Sequence, residues 1–317
     1  MPDALPVAPA TISIFPEHIS HTQRSMFHRC PQQWFWTYCI GLRDFTMRGI
    51  DLRAGSAFAK GLEVTRKSFF NDGHTSEDAI EMGVEAMEAD YGDEDFRDHK
   101  KARHRVHSAM LGYFRNWPLG QDYLVPAQFG PAGSGVEFRF AVPLPIDHPT
   151  TGQPLLYEGR VDMIARHKDV PGLWIVDEKT AGQLGVQWRR KWRLDAQPTS
   201  YVWAAKQAGF EVAGAIIRGI SFLKDSHGFE EVLTSRSAHQ IDDWYEQLLR
   251  DTERMISTFQ FATDRRPDRA LDKDVCSAYS GCPYLEACEQ RDPTSALLAI
   301  TRPRESAATA ENILDMF

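Results

Sequence analysis

The segment from residue 158 to 180 limits the possible fold more than any other part of the chain. It contains two short apolar runs, Glu158-Gly159-Arg160-Val161-Asp162-Met163-Ile164 and Leu173-Trp174-Ile175-Val176-Asp177-Glu178-Lys179-Thr180. Between them lies Lys168-Asp169-Val170-Pro171-Gly172, rich in turn formers. The pattern predicts a β-hairpin folding back about residues 169 and 170, with Asp162 opposite Asp177 or its neighbour. Side chains alternate across a sheet, so Leu173, Ile175, Asp177 and Lys179 share one face and Glu178 points the other way.

Two carboxylates and an ammonium at one edge of a sheet suit a divalent cation. Mg²⁺ prefers octahedral oxygen ligands and keeps some of its waters. Asp162, Asp177 and the backbone carbonyl of Glu178 would therefore leave room for water and a phosphate oxygen. A bound metal acidifies its water and neutralises charge on a phosphate. Lys179 would orient the nucleophile and offset negative charge in the transition state. The competing interpretation is a surface hairpin with a solvated salt bridge. Acid pairs also serve glycoside hydrolysis, but a lysine two residues after Asp177 favours phosphate chemistry.

The next element fits the same site. Asp195 is a suitable N-cap for a helix over 196–208 that stops near Gly209, with Pro198 tolerated in its first turn. Gln197 and Tyr201 are four residues apart and share a helix face. That face would look back at the hairpin edge, where Gln197 would contact water or a DNA backbone and Tyr201 a phosphate. A plain amphipathic helix with a tyrosine at the core boundary is the alternative.

The order G-x-V-D, V-D-E-K-T and Q-x-x-x-Y resembles the PD-(D/E)XK nuclease superfamily. The similarity is greatest to the RecB-like branch that includes CRISPR-associated iron–sulfur exonucleases and many phage proteins. The resemblance implies an α/β fold with a mixed central sheet flanked by helices, and a Mg²⁺- or Mn²⁺-dependent deoxyribonuclease. The site residues it implies are Asp162, Asp177, Lys179, Gln197 and Tyr201, joined by Glu137 on the first core strand. Many members carry a histidine in a G-x-x-x-H helix motif. In Gly55-Ser56-Ala57-Phe58-Ala59 that position is Ala59, which leaves the number of metals and the level of activity open, with Glu63 or Lys60 as substitutes.

Five cysteines are present, at positions 30, 39, 276, 282 and 288. Cys30 upstream and Cys276, Cys282 and Cys288 together downstream match the one-plus-three layout of the iron–sulfur nucleases, with C-P-x-x-x-x-C as the last pair. The resemblance implies a [4Fe–4S] cluster on these four thiolates. Such a staple across a long loop contributes roughly 4 kcal/mol or more in the entropic model. Zinc or plain buried thiols are the alternatives, and Cys39 is the simplest candidate for a buried apolar residue beside Trp36 and Tyr38.

Composition is that of an ordinary globular protein, 42% hydrophobic and 25% charged. No apolar run is long enough to span a bilayer, and the N-terminus does not read as a signal peptide, so a cytoplasmic location in a bacterial or phage-infected cell is expected. A net charge of −8 argues against a general nucleic-acid coat but not against a local groove. The basic cluster Trp188-Arg189-Arg190-Lys191-Trp192-Arg193 suits DNA, with its cations on phosphates and its indoles either stacking on bases or supporting arginine. A solvated loop with tryptophans anchored in the core is the alternative. A second basic run, Arg97 to His107, is expected on a helix.

The expected organisation is an N-terminal helical region over 1–130, with helices near 20–40, 55–70, 76–90 and 97–117. A nuclease core over 131–262, a cysteine segment over 263–291 and a flexible tail over 292–317 follow. Strands are expected near 134–144, 155–166, 173–180, 212–223 and 228–235, and a long helix over 239–260 with Ile241, Trp244, Leu248, Met255 and Phe259 as its buried stripe. The last residues, Ile313-Leu314-Asp315-Met316-Phe317, loosely resemble the pentapeptide that docks on the replication sliding clamp. The functional expectation is an exonuclease on single strands or duplex ends in recombination, repair or phage DNA processing. The alternatives are a DNA-binding protein that retains the fold without cutting, and a redox sensor built on the cluster.

Overall fold

The computed structural model describes residues 14–43, 49–93, 96–129, 133–223, 226–262, 266–270, 272–278, 281–290 and 302–303. The clamp-like pentapeptide at 313–317 lies outside the described residues. In chain order the elements begin with β1 (His18–Ser20), α1 (His21–Arg29), α2 (Pro31–Trp34), a π-helical turn over Phe35–Cys39 and β2 (Leu42–Arg43). Helices α3 (Ile50–Phe70), α4 (Ser76–Tyr91) and α5 (Arg103–Asn116) follow, then β3 (Leu124–Pro126), β4 (Val136–Asp147), β5 (Pro154–His167) and β6 (Leu173–Ala181). The chain continues through α6 (Val186–Lys191), α7 (Ala196–Gln207), β7 (Val212–Phe222), β8 (His227–Thr234) and α8 (Ala238–Phe261). It ends in α9 (Lys273–Ser277), α10 (Leu285–Glu289) and β9 (Arg302–Pro303). No described helix is long and apolar enough to cross a membrane.

These elements form two compact units, each assembled from separate stretches of chain. One comprises 1–47, 143–156 and 248–317, the other 48–142 and 157–247. In the second unit the sheet is mixed, in the order β5-β6-β7-β8 with β3 and β4 also pairing to β5. Strands β5 and β6 are antiparallel, with Met163 opposite Val176 and Ile164 opposite Ile175. Strand β7 returns parallel to β6 after the α6–α7 crossover, with Glu178 opposite Arg218, and β8 closes antiparallel. Helices cover both faces, as a mixed sheet in an α/β domain requires. Val176, Ile216, Ile220 and Phe222 point to one face, where the last two join Phe58, Leu62, Met110 and Tyr113 of α3 and α5 in a buried core. On the other face Trp188 of α6 lies so close to Gly219 that a Cβ there would meet its indole at 2.5 Å, which explains a glycine in a central strand.

Several expected elements are redrawn. The helix expected over 20–40 breaks at Cys30, which is extended at φ −159° before Pro31 opens α2. The residue before proline is pushed out of the helical region, and here it caps the next helix instead. Of the second basic run only the part from Arg103 is helical. The short strand β3 is additional to the expected strands. The apolar stripe of α8 is realised at Ile241, Trp244, Leu248 and Met255, whereas Phe259 is only half-buried.

Candidate active site

The β5–β6 ladder runs as far as Met163 opposite Val176. One residue further on, Asp162 takes over with its side chain: its Oδ2 accepts the Glu178 backbone N–H at 2.8 Å. Asp177 is buried, and Lys179, two residues along on the same face, donates to its Oδ1 at 2.7 Å. The same ammonium lies 2.7 Å from Asp177 Oδ2, an oxygen that accepts no hydrogen bond. Burial and then the charge of Asp177 hold the Asp162 carboxyl well above the usual carboxylate range. Burial also raises Asp177, opposed by Lys179. Lys179 is pushed above the usual ammonium range, because Asp177 and Asp162 outweigh its burial.

Two carboxyl groups that burial raises side by side, held by the Glu178 N–H and the Lys179 ammonium, form a hard-oxygen donor set that fits a hard divalent cation. Among the described residues no three His, Cys, Asp or Glu side chains converge to hold a metal ion. The protein's side-chain ligands here would thus be the two carboxylates, with the Glu178 carbonyl as the third oxygen expected from sequence. A carboxyl raised on folding favours the native state at low pH, and that contribution is lost as pH rises through its folded-state pKa. The metal-free protein is therefore expected to lose stability from this pair toward neutral pH. Mn²⁺ should restore it at about pH 7.5 and much less at about pH 5. Thermal melts with and without Mn²⁺ check this, and a melting temperature indifferent to metal at the higher pH counts against a cation between the two acids.

The helix α7 stands over the same face. Asp195 caps it, accepting the Gln197 N–H at 2.9 Å. Gln197 Nε2 donates to the Tyr201 hydroxyl at 2.8 Å, so the two share a face as their spacing required. Burial and then Asp177 push the Tyr201 phenol up, which keeps it protonated. Arg236, buried, fastens the approach to this helix by donating to Trp192 O at 2.7 Å and Thr199 Oγ1 at 2.7 Å.

Glu137 has another setting. Arg160 Nε lies 2.8 Å from its Oε2, and burial raises its carboxyl against that cation. It adopts φ 56°, a left-handed conformation that costs a non-glycine residue about 1–3 kcal/mol and tends to persist at functional sites. Arg160 shares the strand face of Asp162, two residues away. Glu63 of α3, one turn after the exposed Ala59, bonds to Lys60 at 3.2 Å and Lys67 at 2.7 Å, and its charge contributes to raising Glu137.

The basic segment is a correction in part. Trp188 and Trp192 are both buried and pack edge to face at 5.6 Å, so they anchor α6 and are not presented for stacking on bases. Lys191 sits over the Trp192 ring at 4.3 Å, which is the supporting role for an indole, though toward lysine. Arg189 is committed to Glu230. Arg190 and Arg193 are exposed and, with Arg189, line a surface groove beside Thr234, Ser235 and Gln240.

In the other unit, Cys30, Cys276, Cys282 and Cys288 line a single cavity of about 190 Å³ with Trp36, Val275 and Tyr284. Cys30 Sγ accepts the backbone N–H groups of Gln33 and Ala270, each at 3.4 Å. The Cys282 N–H donates to Cys276 O at 2.7 Å, and the Cys288 N–H to Tyr284 O at 3.0 Å. Burial, then Cys282 and Cys30, push the Cys288 thiol up to about 11. Cys39 lies apart, buried, with its thiol raised by burial alone.

A search of curated proteins returned no match. Among solved structures, the chain is similar to a "Putative exonuclease" from Eubacterium rectale, at 13% identity and a TM-score of 0.48 over 83% of this chain and 87% of that one. It is also similar to the protein SSO0001, at 15% identity and a TM-score of 0.28 over 64% and 73%. Likenesses this distant carry no weight for the site. One family sequence model matches residues 18–289, most of the chain. The chain belongs to the PD-(D/E)XK nuclease superfamily.

Proposed function

We propose that this nuclease is a metal-dependent deoxyribonuclease, acting as an exonuclease on single strands or duplex ends. The observation that carries this reading is the convergence of Asp162, Asp177 and Lys179 on one sheet face beneath Tyr201. Asp162, Asp177 and the Glu178 carbonyl would hold Mg²⁺ or Mn²⁺. When bound, the cation supplies an acidified water and neutralises charge on the scissile phosphate. Lys179 keeps its proton beside the two acids, so it orients water and offsets transition-state charge as an ammonium. Tyr201, also protonated and aligned by Gln197, donates to a phosphate oxygen. Arg190 and Arg193 attract the DNA backbone, while Arg189 borders the same groove through its pair with Glu230. Glu137, paired with Arg160 of the strand that carries Asp162, is the further acid proposed to join the site.

The four cysteines around one cavity support a [4Fe–4S] cluster in the same chain. A cluster is held by thiolates spread around it, which a shared cavity suits better than a single point. The raised thiols fit this donor set, since a bound cation reverses the penalty of ionising them. The role proposed for this activity is in recombination, repair or phage DNA processing.

Labelled linear and circular DNA incubated with Mg²⁺ or Mn²⁺ tests the reading. Linear DNA should be shortened from its ends, and closed circles should survive. Protein purified without oxygen should contain iron and absorb visible light. A fold that binds DNA without cutting is the second reading, favoured by Ala59 at the histidine position and by the Lys179 ammonium lying on both oxygens of Asp177. Intact DNA under every metal, with binding retained, selects it.

A further inference from the structure

Glu178 turns its side chain away from Asp162 and Asp177, yet it is tied down more firmly than either. Arg66 Nη1 donates to Glu178 Oε2 at 3.1 Å, and Arg66 Nη2 makes a second, short bond to Oε1. The Tyr113 hydroxyl donates to Oε1 at 3.0 Å, and itself accepts from Arg66 Nη2 at 2.9 Å and Arg218 Nη1 at 3.3 Å. The Arg66 and Glu178 side chains are only 5% and 4% exposed, so this forked pair is shielded from solvent competition. On the opposite face the Glu178 main chain does different work. Its N–H is held by the Asp162 side chain, because the β5–β6 ladder gives out at Val176. On that flank the peptide beside the two acids therefore lacks a strand partner.

We propose that Arg66, with Tyr113, is a positioning residue for the metal site. By fixing the Glu178 side chain from behind the sheet, it fixes the peptide that orients Asp162 and presents the carbonyl oxygen. This rests on the nuclease reading of Asp162 and Asp177, and adds to it a residue 112 positions away in sequence. Outer partners of metal ligands change metal affinity or activity by about 10–100-fold when removed.

The test compares wild type, Arg66→Met, Arg66→Lys and Glu178→Gln. Mn²⁺ binding is measured by calorimetry without DNA, stability by thermal melting, and cleavage of labelled DNA across Mn²⁺ concentrations. Arg66→Met should weaken Mn²⁺ binding by about 10-fold or more and shift the metal dependence of cleavage equally. Arg66→Lys should recover part of the loss. Unchanged Mn²⁺ affinity and cleavage, or a loss confined to melting temperature, overturns the positioning role. If Arg66→Met does not fold, Glu178→Gln, which keeps the shape and removes the charge, carries the same expectation and the same refutation. A wild type that neither binds Mn²⁺ nor cuts overturns the nuclease reading instead. A wild type that does both, matched by the variants, overturns the positioning role alone.

Discussion

Asp177→Ala is expected to lower metal-dependent DNA cleavage by at least about 10²–10³-fold, and Lys179→Ala to do the same. The two losses should separate in their effect on stability. Asp177→Ala removes one of two carboxyls that burial holds above their ordinary range and leaves behind the Lys179 ammonium, which at 28% exposed can reach water, so the metal-free protein should lose less stability at neutral pH than Lys179→Ala does. Lys179→Ala leaves both acids and takes away the ammonium that lies against Asp177. The folded-state pKa values of the pair then rise further. Because raised carboxyls favour folding only below their folded-state values, the Lys179→Ala protein should be weakest at neutral pH and recover toward acid or with Mn²⁺. Cleavage rates on labelled DNA and melts against pH read out both. Wild-type cleavage in either variant, under conditions where the parent protein is active, removes the assignment of that residue.

This pair was legible from sequence because every feature that positions it is local. The turn formers at 168–172 set the fold-back near 169 and 170, and strand alternation then put Asp162, Asp177 and Lys179 on one face. Gln197 and Tyr201 were equally legible, since Asp195 fixes where α7 begins and four residues make one helical turn. What lay behind the sheet was not. Glu178 was seen to point away, but its partner Arg66 is 112 residues distant and no periodicity links them. A signal did exist at Arg218, a lone cation in the run Ala215-Ile216-Ile217-Arg218-Gly219-Ile220. A strand buried on both faces admits a charge only with partners, so partners were implied though not identified. The tryptophans at 188 and 192 failed for the opposite reason. Arginine on either side suggested a wet surface, but α6 is a short helix that turns its indoles inward and its guanidinium groups outward.

Arg218→Met is expected to cost about 3 kcal/mol or more of folding stability. Arg218 is 1% exposed, and three of its nitrogens bond to carboxylates. Nη1 and Nη2 reach Asp122 at 2.6 and 2.8 Å, and Nε reaches Glu231 at 2.9 Å. Its guanidinium also lies over the Trp117 ring at 4.4 Å. Methionine fills much of the volume but leaves two largely buried carboxylates facing each other with no cation between them. Removing one partner of a buried pair is costly because the other charge stays behind, whereas removing all of them is nearly neutral. The triple variant Arg218→Met, Asp122→Asn, Glu231→Gln should therefore regain most of the loss. Urea unfolding of the parent, the single variant and the triple variant measures it. A deficit not relieved in the triple variant would mean that Arg218 stabilises through packing on Trp117 instead of through charge.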